Sequence, residues 1–62
     1  MKRNEILKAR MRSDGVPQWK VASELGISEN TLYRQLRQDI SEEVFIDLNK
    51  TIDKIQEGDV NE

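Results

Sequence analysis

The chain has 62 residues, none of them cysteine or histidine, and its formal net charge at pH 7 is −2. The missing residue types rule out disulfides and remove the usual ligands of zinc, haem and iron–sulfur clusters. So short a chain also leaves no room for a desolvated substrate pocket. We therefore expect one domain that is not an enzyme and has neither a cofactor nor a small-molecule ligand.

No segment is typical of a membrane or secreted protein. The longest apolar runs, such as 44–46, have only two or three residues, whereas a span needs roughly 20. No apolar signal-peptide core follows the first three residues, and no repeat or linker divides the chain. We expect a cytoplasmic protein without a membrane partner, with its domain over 1–58 and an acidic tail over 59–62.

The charge is unevenly distributed. Residues 1–37 have eight basic and four acidic side chains, a net of +4, and residues 38–62 have two basic and eight acidic ones, a net of −6. Local positive potential is enough to approach a polyanion, although ordinary surface charge would give the same pattern. The basic cluster near the start is either a phosphate-steering arm or the solvated face of a helix. It comprises Lys2, Arg3, Lys8, Arg10 and Arg12.

The first of four predicted helices runs over about 4–13. Asn4 is suited to cap its start. Its apolar face is formed by Ile6, Leu7 and Met11. Gly15 is expected to end the helix in the left-handed conformation, which would bring Val16 against Met11.

The second predicted helix has only about two turns. Pro17 suits its first position, where a missing N–H costs nothing, and Gly26 ends it. Its inward face is formed by Val21, Ala22 and Leu25. Trp19 lies about 60° or more from that face, which predicts an indole half-buried against the first helix.

The third predicted helix extends from Ser28, a good N-cap, to about Gln38. Ile27, directly before the cap, is placed to pack on Leu32 as a hydrophobic staple. Leu32 and Leu36 lie four residues apart and form the inward stripe of this helix.

The fourth predicted helix is capped by Ser41, with Ile40 before it, and ends at Gly58. Its apolar stripe consists of Phe45, Leu48, Ile52 and Ile55, with Val44 alongside. We expect this stripe to pack into the domain's own core, and a homodimer interface is the alternative. Ile46 lies about 100° or more from the stripe, as a scattered exposed side chain or as part of a partner surface.

Residues 18–37 combine the features of a tight corner between two helices. Steeply crossing helices need a small residue where they meet, which Ala22 supplies, and the chain reverses at Gly26. With Ser28 as cap and Leu32 buried after it, the segment resembles the helix-turn-helix family of bacterial and phage regulators. The likeness is greatest to the phage Cro and repressor proteins.

The four predicted helices and this resemblance together lead us to expect an all-α, compact four-helix helix-turn-helix domain of the lambda-repressor-like or homeodomain-like type. The chain has one helix after the motif, whereas repressor domains typically have two. The resemblance also implies sequence-specific binding to double-stranded DNA by a transcriptional regulator, with the third helix in the major groove. In the family, the residue matching Gln18 meets a phosphate. Where many repressors bury an aliphatic residue this chain has Gln35, and Leu36 is expected to be buried instead.

Helical periodicity independently places Asn30, Arg34 and Arg37 outward and Tyr33 at one flank. Asparagine pairs with adenine and arginine with guanine, so Asn30 and Arg34 are the best base-reading candidates, and Arg37 is a candidate for phosphate. Glu29 is either a first-turn carboxylate or an acceptor from cytosine. The predicted DNA-binding set is Gln18, Ser28, Glu29, Asn30, Tyr33, Arg34 and Arg37.

Two other functions compete with this one. The acidic fourth helix suits a protein-interaction module that uses the corner only as a scaffold. A recombination accessory protein would bind DNA in an architectural role. A single motif buries limited surface on DNA, so a homodimer on a palindromic site is a further expectation.

Overall fold

Four α-helices follow one another in the computed structural model, which describes residues 2–60. They are α1 (Arg3–Asp14), α2 (Gln18–Leu25), α3 (Glu29–Leu36) and α4 (Glu42–Val60). No strand occurs within this range. The predicted all-α class and the number and order of the helices are therefore confirmed.

One hydrophobic core joins all four helices. Its buried members are Leu7, Met11, Val16, Val21, Ala22, Leu32, Leu36, Ile40, Leu48, Ile52 and Ile55. The apolar stripe of α4 is thus used inside the domain, with Phe45 half-buried at its edge. This confirms the core interpretation of that stripe and leaves it unavailable for a homodimer interface.

The end of α1 is as predicted, but its beginning is not. Gly15 has φ +71°, and the N–H of Val16 donates to the Met11 carbonyl over 2.9 Å. The predicted cap at Asn4 is wrong, because α1 begins at Arg3 after Lys2, which makes no side-chain capping bond. Asn4 lies instead inside the first turn, on the same buried face as Leu7 and Met11.

The predicted details of α2 need three corrections. Pro17 is the N-cap, in extended conformation, and not the first helical residue. Leu25, expected to face inward, is 37% exposed because it lies in the last turn of α2, at an open groove. Trp19, expected to be half-buried, is 56% exposed. On α1, Ile6 is likewise exposed, outside the Leu7–Met11 face.

Both predicted serine caps are confirmed. Ser28 Oγ accepts from the N–H of Thr31 over 3.1 Å, and Ser41 Oγ accepts from that of Val44 over 3.2 Å. However, α3 ends at Leu36, before the predicted Gln38.

The predicted end of α4 at Gly58 is wrong. Gly58 does not have a positive φ, and the helix continues to Val60. A glycine inside a helix costs only about 1 kcal/mol relative to alanine, which is too little by itself to end the helix. Of the predicted acidic tail over 59–62, the first two residues are therefore helical, and the last two lie outside the described residues.

Candidate nucleic-acid interface

The corner between α2 and α3 is tightly built. Gly26 has φ +74°, its N–H donates to the Ser23 carbonyl over 3.2 Å, and the next N–H donates to the Ala22 carbonyl over 3.0 Å. Ala22 is 1% exposed and Leu32 is fully buried, so the two helices meet without a gap at the crossing. The corner therefore fixes which face of α3 points away from the core.

That outward face carries most of the predicted DNA-binding residues. The exposed side chains on α3 and at its two ends are Ser28, Glu29, Asn30, Thr31, Tyr33, Arg34, Gln35 and Arg37. Leu36 is buried and Gln35 is exposed, as predicted. The face is therefore polar, with two arginines and the half-exposed ring of Tyr33.

A shallow cleft joins the start of α2 to this face. It has a volume of about 250 Å³ and is lined by Gln18, Glu29, Asn30 and Tyr33. These four residues belong to the predicted set, and Gln18 is at least eleven positions away from the others in sequence. The corner thus brings the first residue of α2 next to the N-terminal half of α3.

The two arginines differ in their surroundings. The Arg37 guanidinium lies over the Tyr33 ring, 5.9 Å from the ring centroid, within the range of a cation–π contact. The side chain of Arg34 has no hydrogen bond or ion pair with any residue in the range 2–60. Arg34 is therefore available to a ligand, whereas Arg37 is partly oriented by its own helix.

Ser28 is placed differently from the rest of the predicted set. Its Oγ accepts from the Thr31 N–H and lies 2.8 Å from Thr31 Oγ1. The hydroxyl is thus already used by the helix, and the main effect of Ser28 is to hold the first turn of α3.

The basic cluster near the start of the chain is not uniformly solvated. Arg10 contacts four residues from two helices, which are Asp14, Asn49, Asp53 and Gln56. Its hydrogen bond to Asp53 is the largest cause that raises the pKa of the Arg10 guanidinium above the usual arginine value. Arg3 donates to the Ile40 carbonyl over 3.3 Å. These two side chains therefore make contacts within the domain, and the choice between a phosphate-steering arm and a solvated face stays a prediction for the cluster.

Asn4 is a positioning residue that the sequence prediction missed. Its Nδ2 donates to the Leu36 carbonyl over 2.9 Å, which connects α1 to the last residue of α3. A signal was present, because positions 4, 7 and 11 recur at helical spacing and mark a buried face. The preference of asparagine for helix caps outweighed it in the prediction.

Neither a membrane-spanning helix nor a metal site is found between residues 2 and 60. No helix in this range is long and apolar enough to cross a bilayer. No three His, Cys, Asp or Glu side chains in it form a group that would hold a metal ion.

In comparisons with known proteins, no family model, curated protein or solved structure matches the chain.

Proposed function

We propose that this protein is a small helix-turn-helix transcriptional regulator that binds double-stranded DNA sequence-specifically, with α3 in the major groove. The observation that carries the proposal is the shared surface of Gln18, Glu29, Asn30 and Tyr33 at the α2–α3 corner. Polar side chains from the starts of both helices face one ligand there, and exposed Arg34 adds positive charge beside them.

The dimensions of α3 suit this role. A helix with its side chains is about 10–12 Å wide, close to the width of the major groove of about 12 Å. Asn30 and Arg34 are four residues apart, a rise of about 6 Å along the helix. Since base pairs stack about 3.4 Å apart, the two side chains reach positions about two base pairs apart. Asn30 would read adenine there, and Arg34 guanine.

The start of α2 supplies a phosphate contact. Unlike α3 and α4, α2 has no side-chain cap and no acidic residue in its first turn. Its first N–H groups are therefore not satisfied by a cap, and the helix dipole favours an anion at this end. Gln18 adds a side-chain amide at the same place, so a backbone phosphate bound here would fix the register of α3.

The experiment that tests this function is selection from a random duplex DNA pool at several salt concentrations. Wild type is expected to enrich one common sequence. Asn30→Ala and Arg34→Ala should each weaken binding to it by about 1–3 kcal/mol and relax the preference at one position.

A charge-matched control distinguishes base reading from the general electrostatic attraction of a positive charge to DNA. Arg12→Ala also removes one positive charge, but from an exposed position on α1. It should leave the selected sequence unchanged. If wild type enriches no sequence, or if Arg12→Ala and Arg34→Ala alter selection equally, the proposed function is wrong.

A further inference from the structure

The outward face of α4 carries an ordered row of charges. Glu43, Asp47, Lys50 and Lys54 fall within an arc of about 60° at 100° per residue, and all four are exposed. We call this row the α4 charge stripe. Its acidic residues lie toward the start of the helix and its basic residues toward the end, so the stripe changes sign over residues 43–54. A further exposed acid, Glu57, lies about 20° outside this arc and beyond Lys54, and it is not part of the stripe.

This order makes the stripe complementary to itself. If two copies of α4 lie antiparallel, residue 43 meets 54 and residue 47 meets 50, because both pairs are centred between 48 and 49. A parallel pairing in register would oppose like charges at every position. A twofold axis between two copies generates the antiparallel arrangement, with each contact made twice.

We propose that the α4 charge stripe is the interface of an antiparallel homodimer. Glu43 and Asp47 of one copy then face Lys54 and Lys50 of the second copy. The proposal does not depend on DNA binding, since none of these residues lies on α3 or in the cleft that α3 shares with Gln18.

The stripe is free to make these contacts. The side chains of Glu43, Asp47 and Lys50 form no ion pair with any residue in the described part of the chain. Lys54 Nζ lies 2.9 Å from Glu24, but its side chain is 75% exposed and its ammonium has three donors. It is therefore able to bridge Glu24 of its own copy and Glu43 of the second.

Apolar surface borders the stripe on both sides. On one edge of the stripe, Ile46 is 44% exposed. In the antiparallel pair it lies at the height of Lys50 and Thr51 of the second copy, where the aliphatic stem of Lys50 would cover it. On the other edge lies an open groove of about 240 Å³. It is lined by Leu25, Ile27, Gln35, Val44, Asp47 and Leu48. Exposed ion pairs contribute little each, so they set orientation and register while burial of this apolar surface supplies affinity.

The geometry also relates the dimer to the α2–α3 corner. The groove shows which flank of α4 adjoins the corner, because Leu25, Ile27 and Gln35 line it. A twofold axis perpendicular to two antiparallel helices keeps corresponding flanks on the same side. Both corners of the dimer therefore lie on one side, where a single ligand is able to contact both.

Sedimentation equilibrium of the full chain, from micromolar to millimolar concentration and without DNA, tests the proposal. Wild type should show a reversible monomer–dimer equilibrium. Two variants of identical composition and net charge then test the register. Asp47→Lys/Lys50→Glu keeps opposite charges at every proposed contact and should dimerise like wild type. Asp47→Lys/Lys54→Glu opposes like charges at every contact and should dimerise at least about tenfold more weakly.

One further control addresses the internal ion pair. Glu24→Gln removes the partner of Lys54 without changing the stripe and should dimerise like wild type. A wild type that remains monomeric at millimolar concentration would overturn the interface. So would equal association of the two charge variants, or a loss on Glu24→Gln as large as that of Asp47→Lys/Lys54→Glu. None of these results would affect selection of a DNA sequence by the monomer, so the two proposals fail separately.

Discussion

Asn4 Nδ2 donates a hydrogen bond of 2.9 Å to the backbone carbonyl of Leu36, and the contact is buried. Leu36 is the last residue of α3, and the residue after it has a right-handed conformation, so no left-handed glycine completes this helix end. The N–H groups of Arg37 and Gln38 donate to the Arg34 and Gln35 carbonyls, so the Leu36 carbonyl is the one that needs a donor from elsewhere. The amide of Asn4 supplies it and connects α1 to the end of the proposed recognition helix.

Removing this amide should destabilise the domain. Asn4→Ala leaves a buried carbonyl without its donor, which costs about 1–3 kcal/mol in the free energy of unfolding. Urea unfolding monitored by circular dichroism measures it. Asn4 Oδ1 is buried without a hydrogen-bond partner in the described part of the chain, so the variant also removes an unsatisfied acceptor, and the loss should lie toward the lower end of this range. An unchanged midpoint would show that the bond has no net effect.

Arg10 should be the most important basic residue for stability. It donates to Asn49 Oδ1 over 2.7 Å, pairs with Asp14 over 3.1 Å, and also contacts Asp53 and Gln56, which connects α1 to α4. Arg10→Ala should lower the free energy of unfolding by about 1–3 kcal/mol. Lysine has one ammonium in place of the planar fork, so Arg10→Lys should recover only part of this loss.

The control for Arg10 is Arg12→Ala, at an exposed position on the same helix. It should change stability by no more than about 0.5 kcal/mol. Equal effects at the two positions in thermal unfolding would mean that the contacts of Arg10 are too exposed to contribute.

Two glycines should respond to alanine in opposite directions. At Gly26, φ is +74° and no atom lies within 4 Å of an added Cβ, so the cost is backbone strain alone, about 1–2 kcal/mol. Gly58 lies in the helical part of α4, also with open space around it. Gly58→Ala should stabilise the protein by up to about 1 kcal/mol. A destabilising Gly58→Ala would contradict the continuation of α4 beyond this residue.

Local sequence patterns predicted the helices and their ends better than they predicted which side chains a neighbouring helix covers. Gly15 and Gly26 take the left-handed turns, and Ser28 and Ser41 cap their helices, because these effects act within a few residues. The exposure of Trp19 depends on where α1 lies relative to α2, which no local pattern specifies.

In the candidate site too, local patterns predicted some features, whereas others depend on how the helices pack. Periodicity alone identified the outward face of α3, but the position of Gln18 beside Asn30 depends on the angle of the corner. The network around Arg10 was missed because its partners lie up to 46 positions away in sequence.

Arg34 and Arg37 should have different roles on the same face of α3. Arg37 stacks over Tyr33 near the end of the helix, which suits a phosphate contact, whereas Arg34 is available for a base. Arg37→Ala should weaken binding by a similar factor on all DNA sequences and reduce the slope of log K against log salt by about 0.9. Tyr33→Leu, which removes the ring beneath Arg37, should cause a smaller loss of the same kind.

Arg34→Ala should instead lower affinity chiefly on the selected sequence, because a base contact distinguishes sequences and a phosphate contact does not. Titrations of selected and scrambled duplexes at several salt concentrations measure both quantities. If Arg37→Ala relaxed the sequence preference and Arg34→Ala did not, the two roles would have to be exchanged.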